Sequence, residues 1–336
     1  ARICAENPDN NFLPATGTLQ VYRKPAHTAF ERAADGPTHG VRVDDGVREG
    51  DAISPFYDSM VAKLIVHGAT REQALARLDA ALAQTRIVGL TTNVQFLRRV
   101  ARSDSFAQGR LDTALIQREV DVLFNQEPVG LALAAAADVA QTLTDERAAE
   151  GADPFSKTDG WRLHTEFARR FAFEFHGETV QATLSYLHDG ALRLSVGEGD
   201  RAVSGLLAFE PTATGDGLVV SYAGQRSTVQ VVRRGEVGHV FTPAGATQIT
   251  SVDLLAHAGD GQGEGGRLTA PMPGKVVSFA VQAGDVVTKG QPLAVMEAMK
   301  MEHTIAAPAD GTVAELMFAP GDQVTEGAEL LKLTLG

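Results

Sequence analysis

Ala294 to Ile305 reads AVMEAMKMEHTI, with Lys300 between Met299 and Met301. Two copies of a short pattern flank it. The first runs through Ala270, Pro271, Gly274, Val276, Gly284, Asp285, Val287, Thr288, Gly290 and Leu293. The second runs through Ala307, Pro308, Gly311, Val313, Gly321, Asp322, Val324, Thr325, Gly327 and Leu330. Each matched pair is identical and 37 residues apart. Copies this short cannot each bury a core, so the spacing predicts two halves packed face to face about a pseudo-two-fold axis. Val276, Val287, Leu293 and Val295 are expected to point inward from one half, and Val313, Val324 and Leu330 from the other. Lys300 then falls on the hairpin joining the halves, where a side chain is most accessible to a modifying enzyme.

EAMKM set inside a duplicated AP-x-x-G…GD-x-V half resembles the biotinyl carrier domain of biotin-dependent carboxylases. The resemblance implies a flattened all-β barrel of the biotinyl/lipoyl type, with biotin amide-linked to Lys300. It also implies that a biotin protein ligase recognises Glu297, Ala298, Met299 and Met301. Lipoate carriers usually place Asp before the lysine and Ala after it, so the two methionines favour biotin.

The whole chain has 336 residues, room for two or three domains, and 44% hydrophobic residues for their cores. A net charge of −12 argues against nucleic acid and anionic membrane surfaces as partners. The one cysteine, Cys4, allows no internal disulfide and fits a reducing compartment. No apolar run approaches the roughly 18 residues of a spanning helix, and no signal peptide is read at the start. The chain opens at Ala1 inside the strand-like ARICAEN, and is therefore read as a piece of a longer polypeptide.

Residues 1–118 read as α+β. Strands are expected near Ala1–Asn7, Leu19–Tyr22, Gly40–Val43 and Val61–Val66. Thr70 with Gln73 forms a capping box before REQALARLDAALAQTR, where Leu75, Leu78 and Leu82 recur at helical spacing. Thr92 with Gln95 repeats the device before VQFLRRVAR. The strings ARICAEN-P-x-x-x-FLP-x-x-G, GVR at 40–42, PFYDSM at 55–60 followed by Lys63 and Leu64, and VGLTTNVQFL resemble the C-terminal subdomain of biotin carboxylase, an ATP-grasp enzyme. By that resemblance Arg2 faces bicarbonate and the ureido group of biotin, where a guanidinium stabilises developing negative charge. Arg42 and Asp58 align with subunit-contact positions and are expected as interface charges. The resemblance puts the groups binding ATP, Mg2+ and bicarbonate before Ala1, so this chain by itself is not expected to turn over ATP.

Residues 119–255 change texture. Gly130–Glu150 reads as one alanine-rich helix. Eight alternating strands are expected after it: Trp161–Phe167, Arg169–His176, Thr179–His188, Ala191–Val196, Arg201–Phe209, Leu218–Tyr222, Arg226–Arg233 and Val237–Phe241. Eight antiparallel strands point to a closed barrel, and a helix thin enough to thread it stands just upstream. This arrangement resembles the domain that docks the α subunits of propionyl-CoA and methylcrotonyl-CoA carboxylases onto their carboxyltransferase β subunit. DGWRL at 159–163 and FLPATG at 12–17 are closest to the methylcrotonyl type. His164, His176, His188 and His239 read as surface or turn residues without metal-ligand spacing. Trp161 reads as a core or interface anchor.

Ala256–Arg267 holds five glycines and no hydrophobic periodicity, and reads as a tether. Leu268–Gly336 is the carrier, with four lysines against eight acidic residues. Together these parts read as multi-domain α+β: a carboxylase subdomain at 1–118, an eight-stranded antiparallel barrel around a helix at 119–255, a linker at 256–267 and a carrier at 268–336. The implied function is that of a biotin-bearing acyl-CoA carboxylase α subunit. It moves a carboxyl group on Lys300-linked biotin to a carboxyltransferase that holds an acyl-CoA. 3-Methylcrotonyl-CoA of leucine catabolism is the expected substrate, with propionyl-CoA and geranyl-CoA as alternatives. A non-enzymatic biotin or lipoyl swinging-arm carrier is the reading from another class. The expected location is the bacterial cytoplasm, or the mitochondrial matrix in a eukaryote.

Overall fold

The computed structural model describes residues 1–29, 40–54, 56–124, 127–160, 162, 165–253, 267–270, 273–298, 301–325 and 327–335. The chain separates into two compact units, Ala1–Asn125 with Gly261–Gly336, and Gln126–Asp260.

In the N-terminal segment, β1 (Arg2–Cys4), β2 (Thr28–Ala29), β3 (Val41–Asp45) and β4 (Met60–Val66) form one sheet in the order β1-β4-β3-β2. Strand alternation sends Ile3, Val43, Leu64 and Ala62 into a core shared with Ala81 and Leu82 of helix α1 (Arg71–Gln84). Lys63 and Ile65 fall on the other, open face. Thr70 caps α1 as expected, its side chain accepting from the Gln73 amide, and Gln73 reaches back to the amide of Ala69. The second expected cap does not form. Helix α2 (Val94–Arg102) begins after Asn93, not Thr92, and Asn93 makes no side-chain cap. Its amide group has another use, taken up below.

The second unit is a closed barrel threaded by helix α3 (Leu131–Ala149). The strands are β5 (Phe167–Phe175), β6 (Glu178–Tyr186), β7 (Leu192–Val196), β8 (Val203–Pro211), β9 (Leu218–Tyr222), β10 (Gln225–Arg234), β11 (Val237–Phe241) and β12 (Ala246–Ser251). Each pairs antiparallel with the next, and β12 closes onto β5. The expected number of strands is correct but not their membership. Of the expected first strand, Trp161–Phe167, only Phe167 enters the barrel, as the first residue of β5; Trp161, Leu163 and His164 lie outside the described residues. The eighth strand is instead ATQITS, Ala246–Ser251, whose inward anchor is Ile249.

Alanine makes the threading possible. Ala134, Ala135, Ala136, Ala137 and Ala140 are all fully buried against Phe173, Leu184, Leu194, Val220 and Val240 of the wall. A larger side chain at those positions would overfill a close-packed interior. One charge is buried with them. Asp138 on α3 is fully buried and takes the Arg233 Nε–H of β10 at 2.9 Å on Oδ1. The same guanidinium reaches the Asp138 carbonyl at 2.6 Å. Residue 238 must be glycine, because a Cβ there would stand 2.7 Å from the Asp138 carboxylate.

The third region comprises β13 (Arg267–Thr269), β14 (Gly274–Phe279), β15 (Val286–Val287), β16 (Pro292–Ala298), β17 (Met301–Ala306), β18 (Gly311–Leu316), β19 (Gln323–Val324) and β20 (Glu329–Leu335). Arg267, read from sequence as linker, begins its first strand. Two four-stranded sheets result, β13-β20-β18-β15 and β17-β16-β14-β19. Advancing by one repeat carries β14 to β18, β15 to β19 and β16 to β20, so each sheet takes its last strand from the other half. The hydrogen bonds repeat as well. The Gly284 amide donates to Val313 O and the Gly321 amide to Val276 O, both at 2.7 Å. Asp285 and Asp322 each accept from the amide three residues earlier. Gly284 and Gly321 adopt φ of 95° and 102°, which explains the repeated Gly-Asp as turn chemistry.

The core obeys the same exchange. Val287, Leu293, Val313 and Leu333 lie in one cluster, while their counterparts Val324, Leu330, Val276 and Met296 lie in the other. Val295 departs from expectation: it is only half-buried, and Ala294, Met296 and Ala298 face inward. The register of β16 against β17 shifts between Pro292 and Ala294. An extra residue resets the alternation beyond it, which exchanges the two faces of the strand.

Candidate functional site

The β16–β17 hairpin is the first candidate. Its register runs Met296 with His303, Glu297 with Glu302, and Ala298 with Met301. Only Met299 and Lys300 stand between the last paired residues, and both lie outside the described residues. The strands leading to them are held firmly. Met296 and Ala298 are buried, which turns Glu297 outward. Glu297 is also in register with Lys275 of β14. The neighbouring Gly274 lets that strand pass close by, since a Cβ there would meet the Glu297 carbonyl at 2.7 Å. Burial lowers the pKa of His303, so its ring is neutral at physiological pH and adds no charge to the hairpin.

This is a fit for a covalently carried group. Biotin is carried as an amide on a primary amine, and Lys300 is the lysine that the sequence places between these two strands. Glu297 and Glu302, as register partners, put two carboxylates on the strands that lead to it.

Arg2 is the second candidate. It lies exposed on β1, and the two residues after it are buried. Asn93 positions this strand from both sides. Its Oδ1 accepts the Cys4 amide at 2.9 Å, and its Nδ2 donates to the Arg2 carbonyl at 3.1 Å. The Asn93 amide donates to Cys4 O at 3.1 Å. Asn93 is buried, so none of these bonds is exchanged readily for water. The sequence reading missed it because Thr92 looked like the helix cap. Truncating Asn93→Ala is expected to destabilise this region by about 2 kcal/mol, seen as earlier unfolding in urea and faster hydrogen exchange at Ile3 and Cys4. Burial raises the pKa of Cys4 and keeps it a thiol.

Arg42 and Asp58 sit apart from the hairpin residues in sequence and engage locally. Arg42 forks onto Asp44, with Nε–Oδ1 at 2.7 Å. The Asp44 carboxyl is held below its usual range by that guanidinium. Asp58 accepts the Met60 amide at 2.8 Å, just after Phe56 and Tyr57, both about three-quarters exposed. No helix among the described residues is long and apolar enough to cross a membrane.

Comparison with known proteins gives the context. Residues 1–118 match the biotin carboxylase C-terminal domain, and residues 266–333 match the family described as biotin-requiring enzyme. Residues 128–254 match the BT domain of the methylcrotonyl-CoA carboxylase alpha subunit. In that order the three segments belong to the biotin carboxylase C-terminal, BT and biotin-requiring domain families. Among its relatives is the mitochondrial methylcrotonoyl-CoA carboxylase subunit alpha of Dictyostelium discoideum, 33% identical over 95% of this chain. The mouse protein of that name is 32% identical over 99%. The mouse mitochondrial propionyl-CoA carboxylase alpha chain is 30% identical, also over 99%. This chain spans 46%, 46% and 45% of those three relatives.

Proposed function

We propose that this chain carries biotin on Lys300 and supplies the carrier and docking parts of a 3-methylcrotonyl-CoA carboxylase. The observation that supports this most is the hairpin register, which closes at Ala298 with Met301 and leaves a lysine between paired strands. When bound, biotin supplies a ureido nitrogen that holds a carboxyl group. The protein's own residues do the rest. Lys300 anchors the arm, and Glu297, Ala298, Met299 and Met301 identify it to biotin protein ligase. Arg2, on a strand fixed by Asn93, offers a guanidinium to negative charge on bicarbonate or on the ureido oxygen. ATP and Mg2+ are taken by the full-length subunit outside the residues of this chain.

The barrel is the part that docks the carboxyltransferase β subunit, in an aqueous compartment such as a bacterial cytoplasm or a mitochondrial matrix. The glycine-rich stretch before the carrier keeps biotin at high effective concentration near both sites without tight binding at either. The match of residues 128–254 to a methylcrotonyl-type domain favours the five-carbon substrate. Reconstituted as full-length subunit with its β partner, the enzyme is expected to prefer 3-methylcrotonyl-CoA over propionyl-CoA by at least about tenfold in kcat/KM. The opposite preference would assign the propionyl-CoA reaction.

A further inference from the structure

Helix α3 is buried on every side where it threads the barrel. Residues 134–140 read AAAADVA, and each is 0% exposed. A helix packed on a surface keeps a polar face that fixes its rotation; this stretch has none. With alanine on most sides it offers the wall a nearly smooth cylinder, with few ridges to interlock. A step of one residue along the barrel axis is only about 1.5 Å of rise and about 100° of turn. Apolar packing alone therefore leaves depth and rotation weakly fixed.

Polar contacts supply what the alanines lack. Among the described residues of this unit, Asp138 is the only charged side chain that is fully buried. It meets a cation and a gap that lie side by side on the wall, since Arg233 of β10 and Gly238 of β11 are register partners. Arg233 donates to the Asp138 carboxylate, to the Asp138 carbonyl and to the Thr142 hydroxyl one turn on. That hydroxyl in turn donates to the Asp138 carbonyl at 2.9 Å. A Cβ on residue 238 would crowd Asp138 Oδ1, so the carboxylate seats only at one depth and one rotation of the helix. Stability does not explain the pair. Buried ion pairs hold a fold no better than apolar side chains of the same volume, and their best-attested use is to fix register.

We infer that Asp138, Arg233 and Gly238 form a register key, which fixes the depth and rotation of α3 in the barrel rather than adding to its stability. The key also sets where the C-terminal end of α3 stands against β5. There Glu146 pairs with Arg169 at 2.8 Å, and Glu150 accepts from the Thr158 amide at 3.0 Å and from Lys157 at 2.9 Å. The Glu146–Arg169 pair joins long, partly exposed side chains that can follow a small shift of the helix. The buried key cannot. The segment leaving α3 is thus held in one place by contacts deep inside the barrel.

The test uses the full chain with 13C-labelled alanine methyl groups. The parent is expected to give one signal for each of Ala134, Ala135, Ala136, Ala137 and Ala140. Asp138→Ala/Arg233→Met removes both charges together and leaves neither unpaired. It is expected to unfold at higher urea than Arg233→Ala, yet to show a second set of those signals holding about a tenth of the intensity or more. Gly238→Ala closes the gap with both charges in place, and is expected to split or move the same signals. A folded double variant with one set at the parent's positions would overturn the key, as would parent-like signals in Gly238→Ala. A double variant that unfolds at no higher urea than Arg233→Ala would make the pair a source of stability instead, and would overturn the key too.

Discussion

Replacing Arg233 with alanine is expected to cost the barrel about 3–5 kcal/mol. Asp138 is fully buried on the helix that threads the barrel, and Arg233 is the cation that answers it. Removing the guanidinium leaves a carboxylate without compensation in an interior lined by alanine, leucine and phenylalanine. It also frees the Asp138 carbonyl and the Thr142 hydroxyl, both of which Arg233 engages. The loss carries a pH signature. Burial already raises the Asp138 pKa above the usual 3.8, and Arg233 is the main influence opposing that rise. A carboxyl whose folded pKa is raised loses stability as pH climbs from its unfolded value through its folded one. Without Arg233 that folded value goes higher and the window widens upward. The deficit of Arg233→Ala should therefore be greatest at neutral pH and shrink as pH falls towards 4. Urea unfolding across that range, followed by the barrel's circular dichroism, checks both the size and the sign.

The parts of this molecule that could be read from sequence are those with local causes. The repeat stood out because Gly284, Asp285, Gly321 and Asp322 each serve a turn whose geometry few other residues tolerate. The alanine helix and most barrel strands were legible for a similar reason: their periodicity follows directly from which face is buried. Other features depend on distant partners. ATQITS carries one large apolar residue, Ile249, and becomes a strand because β5 and β11 offer it edges on both sides. A period-two pattern points Val295 inward because it carries no sign of the bulge beside it. Asn93 has no local signal because its amide serves a strand 89 residues away. Asp138 and Arg233 are 95 positions apart, and neither has a local signal that announces the other.

The candidate sites divide along the same line. Lys300 is proposed from its immediate neighbours in sequence, Met299 and Met301. Asn93 gains meaning only from the fold, because what matters is the strand that lies beside it. Arg2 falls between the two, named by its string and held by Asn93.

The other large effect is expected at Lys300 itself. Lys300→Arg keeps a positive charge on the hairpin but replaces the amine that attacks biotin's activated carboxyl group with a guanidinium, which is protonated at any physiological pH. Uptake of biotin should therefore be abolished, not slowed. The fold should be unaffected, since the flanking pairs Glu297 with Glu302 and Ala298 with Met301 do not involve the lysine. Unchanged thermal unfolding of the variant would separate loss of the attachment point from loss of the hairpin. The most direct measurement is peptide-resolved mass spectrometry after incubation with biotin protein ligase, ATP and biotin. The expected result is a single biotinyl adduct confined to Lys300 and missing from Lys300→Arg; an adduct on another lysine, or none on the parent chain, would contradict it.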